Sequence, residues 1–488
     1  MVGIQTQVTV RDGTGYITGA PPEVQKALAD ATSYRPEGYQ FSAAFNTWVG
    51  TGDSRRRKWD GKIKLIKNSK FPAGLLERVC GVLDGHDVSY ELDVESTTEP
   101  APVAMEAVGI DSRDYQDDAV EASLLNRRGV LQAPTGAGKT AIGARIIQVH
   151  GSRALVIVPT IDLLHQYRSF LSEHLRVEGG IGQLGDGVVD PREVTVATVR
   201  TAAKAMHVAY ETYEFAEYDD KDDTEVKPQD LREWIDGIGT LIVDEAHILG
   251  AQVVYDVTTK LKCPRKYGMS ASPWRDDGAD LMIEGAVGPT INRIPVKKLV
   301  DEGWLVPPII RNISTEGWWK PAAWGKNQFA KCYTAEISEN PARNERIADI
   351  VNELEFPTLV LVKHVKHGKL LQPLIDDSIF LSGRDSGERR QEVYQQLKDG
   401  KLRVIIATTI ADLGLDLPIC QGLVLAGGGK SSTRHLQRIG RVARPYPGKR
   451  SALVIDFDDS HVHDWFKRHN AARRKIEKAE WGESALWI

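Results

Sequence analysis

The sequence predicts an α/β protein in which two parallel-sheet domains follow a shorter N-terminal segment. Short apolar segments alternate with helical segments from about residue 115 to residue 295, and the same alternation returns between residues 358 and 456. This alternation is typical of parallel strands that helices cover on both faces. The first region contains a glycine-rich phosphate loop between a strand and a helix, and the second region has no phosphate loop of its own. We therefore expect a nucleotide to lie in a cleft between the two domains.

The predicted strands are short and apolar. In the first region they are 129–131, 154–158, 194–198 and 241–244, and in the second they are 358–362, 379–381, 404–408, 422–425 and 452–456.

Length and composition agree with this architecture. The chain has 488 residues, enough for about three domains, and its 41% hydrophobic and 26% charged content are those of a soluble globular protein. No apolar run approaches the roughly 18 residues that span a membrane, and the first residues lack the features of a secretion signal. The net charge of −5 means that any nucleic-acid surface must be a local basic patch.

The four cysteines give no sign of a metal site. Cys80, Cys263, Cys332 and Cys420 are far apart and lack metal-ligand spacing. We interpret them as reduced packing residues of a cytoplasmic protein, the cytoplasm being that of the host if a phage encodes the chain.

The glycine-rich loop has the pattern of a phosphate-binding site. Its residues are Ala133, Pro134, Thr135, Gly136, Ala137, Gly138, Lys139 and Thr140. Between a strand and a helix, such a loop directs backbone N–H groups and the positive end of the helix dipole at phosphate oxygens. We expect Lys139 to reach the β- and γ-phosphates of ATP and the Thr140 hydroxyl to bind Mg²⁺. The strict pattern has glycine where this chain has Ala133.

An acidic pair follows the predicted strand 241–243. We expect Asp244 to hold Mg²⁺ through water and Glu245 to orient and deprotonate the water that attacks the γ-phosphate. Two interpretations of the nearby His247 remain open. It either couples the nucleotide site to a nucleic-acid site, which we favour, or packs at the end of the strand. With the arginine-rich segment 437–444, these motifs indicate an ATP-driven nucleic-acid motor.

The ordered motifs over about residues 110–458 resemble those of superfamily 2 helicases, in which alanine at the first loop position is familiar. The resemblance implies two tandem RecA-like parallel-sheet domains and a small N-terminal α+β accessory domain. The implied bounds are 1–100 for the accessory domain, 105–295 and 296–458 for the two motor domains, and 459–488 for a basic helical tail.

The resemblance also implies roles for individual residues on the nucleotide side. Arg113 and Gln116 resemble the motif that reads adenine, with Gln116 on the base edge. Gly414 and Asp416 resemble the fifth motif, which touches both nucleotide and strand. Arg441 and Arg444 resemble arginine fingers, which stabilise charge on the transferring phosphoryl group.

Further motifs resemble those that bind the strand or transmit hydrolysis to it. The residues implied to contact nucleic acid are Pro159, Thr160, Thr198, Arg200 and Thr408. The residues implied to couple hydrolysis to strand separation are His247, Ser270, Ser272 and Gln437.

The N-terminal segment resembles the accessory domain of UvsW-type phage recombination helicases, through Trp59-Asp-Gly-Lys62 and Phe71-Pro-Ala-Gly-Leu75. Basic residues interleaved with an aromatic ring also suit a phosphate track with base stacking. The candidate DNA contacts are Arg55, Arg56, Arg57, Lys58, Trp59 and Lys62. The alternative is a solvated hairpin whose Trp59 packs into a small core.

Three other segments carry open interpretations. The acidic residues 209–230 are interpreted as a solvated insertion, rather than a DNA mimic that gates the channel. Trp318, Trp319 and Trp324 either stack on a DNA fork or pack at the junction of the motor domains. The C-terminal segment 465–475 predicts a basic helix with a solvated face, and duplex contact is its alternative.

These observations together favour an ATP-dependent DNA helicase or translocase with ATP and Mg²⁺ as cofactors. The resemblance implies 3′-to-5′ movement on forks or recombination intermediates, with branched or single-stranded DNA, recombination proteins and single-strand-binding proteins as partners and no membrane association. An RNA helicase would share every motor motif. A strand-annealing protein for which ATP is a release switch is the other alternative.

Overall fold

The structure, a computed structural model, describes residues 5–36, 39–49, 56–57, 59–95, 99–209, 222–272, 278–408, 417–429 and 432–488. The chain divides into two compact units. The first comprises residues 1–133 and 138–293, and the second comprises residues 134–137 and 294–488.

The N-terminal part of the first unit is a small α+β layer. Its strands are β1 (Thr6–Arg11), β2 (Thr14–Thr18), β3 (Ser33–Tyr34), β4 (Trp48–Val49), β5 (Arg56–Arg57), β6 (Ile63–Lys64), β7 (Lys70–Pro72) and β8 (Tyr90–Val94). Its helices are α1 (Pro22–Ala31), α2 (Ala43–Asn46) and α3 (Leu76–Asp84). The main sheet has the order β7-β2-β1-β8, and α1 and α3 bury Val24, Leu28, Val79 and Leu83 in the core beneath it.

The rest of the first unit is built on an eight-stranded sheet. The strands of this part of the unit, inside and outside that sheet, are β9 (Met105–Ala107), β10 (Arg128–Gln132), β11 (Ala154–Val158), β12 (Leu175–Val177), β13 (Ile181–Gly185), β14 (Val188–Asp190), β15 (Val194–Thr198), β16 (Thr240–Asp244), β17 (Arg265–Ser270) and β18 (Thr290–Arg293). Its helices are α4 (Asp114–Leu125), α5 (Lys139–His150), α6 (Ile161–His174), α7 (Val199–Ala205), α8 (Pro228–Asp236), α9 (Gln252–Lys260) and α10 (Asp280–Val287).

The order of this sheet is β14-β13-β15-β11-β16-β17-β10-β18, and every pair except β13–β14 is parallel. The remaining strands, β9 and β12, form a separate antiparallel pair. The central strands β11, β15 and β16 are buried along their whole length. This explains their continuous apolar sequences, since strands covered on both faces have no solvent side.

The accessory layer packs closely on α10. A Cβ atom on Gly74 would lie 2.1 Å from the backbone oxygen of Glu284, so only glycine fits at this contact. Beside it, the guanidinium of Arg78 donates two hydrogen bonds to the Glu284 carboxylate. The Phe71–Leu75 segment, which carries one of the motifs noted in the sequence, therefore lies where the N-terminal α+β layer contacts α10.

The second unit contains a seven-stranded sheet. Its strands are β19 (Pro308–Ser314), β20 (Thr358–Val362), β21 (Ser378–Leu381), β22 (Val404–Thr408), β23 (Gly422–Leu425), β24 (Ala452–Asp458) and β25 (Leu486–Trp487). Its helices are α11 (Val296–Asp301), α12 (Phe329–Cys332), α13 (Pro341–Asn352), α14 (Val365–Leu371), α15 (Gly387–Lys398), α16 (Ser432–Val442) and α17 (Asp464–Trp481). The order is β21-β22-β20-β23-β24-β19-β25, and every pair is parallel. The predicted α/β class with two parallel sheets is confirmed.

The tryptophans of residues 318–324 pack within the second unit. The indole N–H groups of Trp319 and Trp324 both donate to the buried carboxylate of Glu336, at 2.7 and 2.9 Å. Trp318 packs edge-on against Phe457. These contacts favour the packing interpretation over exposed stacking on a fork.

The predicted C-terminal helix is α17, and it has two faces. Lys467, Arg468, Arg474 and Lys475 are exposed, as expected for a solvated basic face. The opposite face is buried, and Arg473 there forms an ion pair with Asp456 of β24 at 2.7 Å.

No helix in the described part of the chain has the length and apolar composition needed to cross a bilayer. All four cysteines carry free thiols, and Cys263, Cys332 and Cys420 are buried.

Candidate active site

The phosphate loop joins β10 to α5 and takes a conformation that needs glycine. Gly136 and Gly138 have φ angles of +93° and +79°, which side chains with a Cβ rarely adopt. Gly138 is the N-cap of α5, so Lys139 and Thr140 open the helix with their backbone N–H groups directed toward the loop. The positive end of the helix dipole lies at the same place, which makes the loop an anion site.

The acidic pair lies at the carboxyl end of β16, close to Lys139. The ammonium Nζ of Lys139 is 3.8 Å from Glu245 Oε1, and His247 Nδ1 is 3.4 Å from Glu245 Oε2. Glu245 has a φ of +54°, an unusual backbone angle for a residue with a side chain. Such strain is often found at functional sites because the surrounding fold must maintain it.

Asp244 has the properties of a metal ligand. Burial and the neighbouring Glu245 carboxylate raise the pKa of Asp244 to about 7, against the opposing effect of Lys139. Its Oδ1 atom is buried and has no hydrogen-bond partner among the described residues. A divalent cation would satisfy this oxygen and hold the carboxylate ionised, so the residues present fit Mg²⁺.

Gln116 and Arg113 lie at the start of α4, next to the loop. The backbone N–H of Arg113 donates to Gln116 Oε1 at 3.2 Å, which forms part of a capping box. Gln116 is buried, and a Cβ on Gly138 would be 2.5 Å from its Nε2 atom. The carboxamide therefore packs against the phosphate loop, and adenine recognition stays a prediction.

Ser270 and Ser272 lie at and just after the end of β17, the strand that pairs with β10. The backbone oxygen of Ser270, at the end of β17, accepts a hydrogen bond from Ala133 N at 3.0 Å. Both side chains are fully buried, and the hydroxyl of Ser272 has no partner among the described residues. A hydrogen bond therefore links this motif directly to the start of the loop, and its role in coupling stays a prediction.

The predicted strand contacts of the first unit occupy the starts of two helices. Thr160 caps α6 and Thr198 caps α7 through hydrogen bonds to their side-chain oxygens, with Pro159 buried before the first and Arg200 half-buried in the second. Thr198 is fully buried, and its hydroxyl also donates to Asp222. The structure thus gives the Thr198 hydroxyl a structural role that the sequence did not indicate.

The predicted residues of the second unit lie at the ends of its elements. Thr408 ends β22, and its buried hydroxyl has no partner among the described residues. Gln437 and Arg441 are half-buried on α16, and Arg444 follows the helix. The four-residue spacing of Gln437 and Arg441 places them on one face of α16.

The basic N-terminal segment is described only in part. Trp59 is half-buried, and its indole N–H donates to the backbone oxygen of Lys62 at 2.8 Å. Lys62 itself forms an ion pair with Asp30 at 2.6 Å. Arg56 and Arg57 form β5. The predicted residues that lie outside the described part of the chain are Arg55, Lys58, Gly414 and Asp416.

Two buried polar clusters were not anticipated from the sequence. In the first unit, Asp222 accepts hydrogen bonds from Thr198, Thr201 and Thr224. In the second, His435 of α16 pairs with Glu477 of α17 at 2.5 Å. Charged residues are normally exposed, so residue type gave no sign of the buried Glu477. The four-residue spacing of Arg473 and Glu477 is the signal in the sequence that could have placed both on one buried face of α17.

Known proteins share both halves of this arrangement. The family model of the type III restriction enzyme res subunit matches residues 109–275, and that of the helicase conserved C-terminal domain matches residues 343–446. The ATP-dependent DNA helicase uvsW of Enterobacteria phage T4 is 27% identical over 471 residues, covering 89% of this chain and 86% of that protein.

Two further proteins resemble this chain, one in sequence and one in fold. The DNA 3′-5′ translocase XPB2 of Sulfurisphaera tokodaii is 25% identical over 415 residues, covering 77% of this chain and 88% of that protein. An HsdR subunit fragment of a type I restriction enzyme from Vibrio vulnificus has the same fold, with a TM-score of 0.52, 17% identity and coverage of 85% and 74% of the two chains. With both halves of the motor present and in order, the chain belongs to the superfamily 2 helicases.

Proposed function

We propose that the chain is an ATP-dependent DNA helicase or translocase that moves 3′-to-5′ and remodels branched DNA. One observation carries the proposal, namely the meeting of Lys139 with Asp244 and Glu245 at the phosphate loop. The names of the two relatives, a DNA helicase and a 3′-5′ DNA translocase, support DNA over RNA as the track and support this polarity.

The site has the groups that phosphoryl transfer to water requires. The backbone N–H groups at the start of α5 and the Lys139 ammonium would bind the β- and γ-phosphates and neutralise their charge. The Glu245 carboxylate, positioned by its strained backbone and by His247, would accept a hydrogen bond from the attacking water and take its proton.

Thr140 and Asp244 are the residues that would hold Mg²⁺. The partnerless Oδ1 of Asp244 supports this assignment. A bound Mg²⁺ supplies positive charge to the phosphate oxygens and orients them for in-line attack.

The remaining assignments rest on the motif resemblance. Arg441 and Arg444 are the proposed arginine fingers, and Thr408, Thr160 and Thr198 are the proposed strand contacts. We keep the bounds 1–100, 105–295, 296–458 and 459–488 for the accessory domain, the two motor domains and the C-terminal helical segment.

Two broader assignments complete the proposal. The accessory domain binds branched DNA, and recombination or single-strand-binding proteins are the expected partners. The free thiols support the assignment of the protein to a reducing compartment, the cytoplasm.

Strand displacement on tailed duplexes tests the proposal. Duplexes with only a 3′ single-stranded tail, only a 5′ tail, or both tails as a fork are incubated with ATP, and the released strand is measured. We expect release from the fork and the 3′-tailed substrate, and none with the Lys139→Ala variant. Annealing of complementary strands without ATP, together with no displacement of any substrate, would instead support the annealing protein.

A further inference from the structure

The second unit contains a cavity of about 390 Å³ that no predicted helicase motif accounts for. It lies where β20, β23 and β24 end, because Lys363 follows β20, Gly427 follows β23 and Phe457 belongs to β24. In parallel α/β sheets, ligands bind outside the carboxyl ends of the strands. The volume is within the range of small-molecule sites and suits a ligand the size of a nucleoside.

Aromatic rings form much of the cavity wall. Phe329 and Trp465 meet edge to face with ring centroids 5.4 Å apart, and His469 lies 5.7 Å from Phe329. Phe329, Trp465 and His469 are only half-buried, although they line the cavity with the buried Tyr333. Flat aromatic faces at a partly open cavity are the surfaces on which nucleobases stack.

Three consecutive glycines form another part of the cavity wall. Gly427 is required by packing, since its Cβ would lie 2.6 Å from the backbone nitrogen of Lys363. Gly428 and Gly429 have φ angles of +55° and +140°, and no heavy atom lies within 4 Å of a Cβ built on either. This wall is therefore bare backbone next to open space, which lets a flat ligand approach the peptide groups closely.

Buried contacts hold the residues of the cavity wall in place. Tyr333–Ser338 forms a π-helical turn, a rare element that is often found at functional sites. Arg343 is fully buried, pairs with the cavity residue Asp459 at 3.0 Å, and donates to the backbone oxygens of Ile337 and Ala426. Such support fixes a binding surface before the ligand arrives.

The residues that line the cavity include an exposed cation. Lys363 is exposed, and its ammonium lies 4.9 Å from the centre of the Tyr333 ring. The adjoining strand β22 ends at Thr408, which is a predicted strand contact. A cation beside an aromatic cavity, next to that contact, suits a nucleotide whose phosphate stays outside while its base enters.

We propose that this cavity binds one nucleobase of the DNA strand on which the motor moves. The proposal rests on the proposed function and specifies how the strand is held. Stacking on Phe329 and Trp465 would be tolerant of sequence, because every base has a π-face.

The test compares tracts with and without bases. Binding of a fluorescent single-stranded thymidine tract and of an abasic tract of equal length is measured by anisotropy, with matched salt and ATP analogue. The variants are Phe329→Leu and Trp465→Leu, which keep apolar bulk, with unfolding temperature as the folding check. Trp487→Leu, at an exposed tryptophan of β25 outside the cavity, is the matched control.

We expect wild type and the control to prefer the thymidine tract, and both variants to lose about five-fold or more in affinity for it while binding the abasic tract unchanged. Unchanged preference in folded variants would overturn the cavity assignment and leave the helicase proposal standing. No binding of either tract by the wild type would overturn both.

Discussion

The ammonium of Lys139 lies 3.8 Å from the carboxylate of Glu245, so the start of α5 and the acidic pair lie close together within the first unit. One residue opens α5 and the other follows β16. We expect the triphosphate, with its greater negative charge, to become the main partner of the ammonium. Glu245 is then left to act on water.

Replacing Lys139 with alanine should abolish ATP turnover. The substitution removes the cation that neutralises the β- and γ-phosphates, and we expect kcat to fall by about 100-fold or more. Steady-state phosphate release is the measurement. Lys297→Ala, at an exposed lysine paired with Asp301, is the control and should behave as wild type. Wild-type turnover in Lys139→Ala would rule out this site.

Glu245→Gln should separate binding from hydrolysis. Glutamine keeps the shape and a hydrogen bond to water but cannot take a proton, so we expect a loss of about 10²–10⁴ in kcat with ATP affinity retained. Single-turnover hydrolysis and binding of a fluorescent ATP analogue measure the two quantities. A parallel loss of ATP binding would show that Glu245 is not the base.

Two glycines of the accessory layer should respond oppositely to alanine. At Gly74 a methyl group would collide with the Glu284 backbone oxygen, and we expect the free energy of unfolding to fall by about 1–3 kcal/mol. At Gly81, exposed in α3 with open space around it, alanine should raise that free energy by about 0.5–1 kcal/mol. Urea unfolding measures both. Equal effects would contradict the close contact with α10.

Asp222 should stabilise the fold in a pH-dependent manner. Burial alone would raise its pKa, but hydrogen bonds from Thr198, Thr224 and Thr201 outweigh burial and hold the pKa below 3.8. Its stabilisation should therefore be complete above about pH 5 and be lost as the pH falls through the lowered pKa.

Substituting Asp222 with alanine tests this account. The change leaves three hydroxyl groups without their acceptor, and we expect a loss of about 3 kcal/mol at pH 7. The difference from wild type should shrink as the pH approaches 3. Asp223→Asn, at an exposed neighbour, should have no effect at either pH. A pH-independent difference would mean that the charge of Asp222 is not involved.

The apolar strands were predictable because burial on both faces leaves a continuous hydrophobic sequence. Four strands begin and end at the predicted residues. They are β11 (154–158), β15 (194–198), β20 (358–362) and β22 (404–408). The phosphate loop and the acidic pair were recognisable for a similar reason, since their chemistry fixes both residue type and spacing.

Other features depend on partners that are distant in sequence. β17 was not predicted because it begins with Arg265 and Lys266, yet Lys266 is buried and donates to the backbone oxygen of Thr258. The role of Thr198 depends on Asp222, which lies within the acidic segment 209–230 and is nevertheless buried. Likewise, Arg473 was predicted as part of a basic helix. The residues next to it in the sequence do not indicate that it forms an ion pair with Asp456.

The central claim is that DNA drives ATP turnover at this site. Steady-state ATPase activity is measured with forked, single-stranded and duplex DNA and with RNA, at matched salt because phosphate contacts make binding salt-dependent. We predict strong stimulation by forked and single-stranded DNA and little by RNA, with none in Lys139→Ala. Stimulation by RNA above that by any DNA would contradict the account.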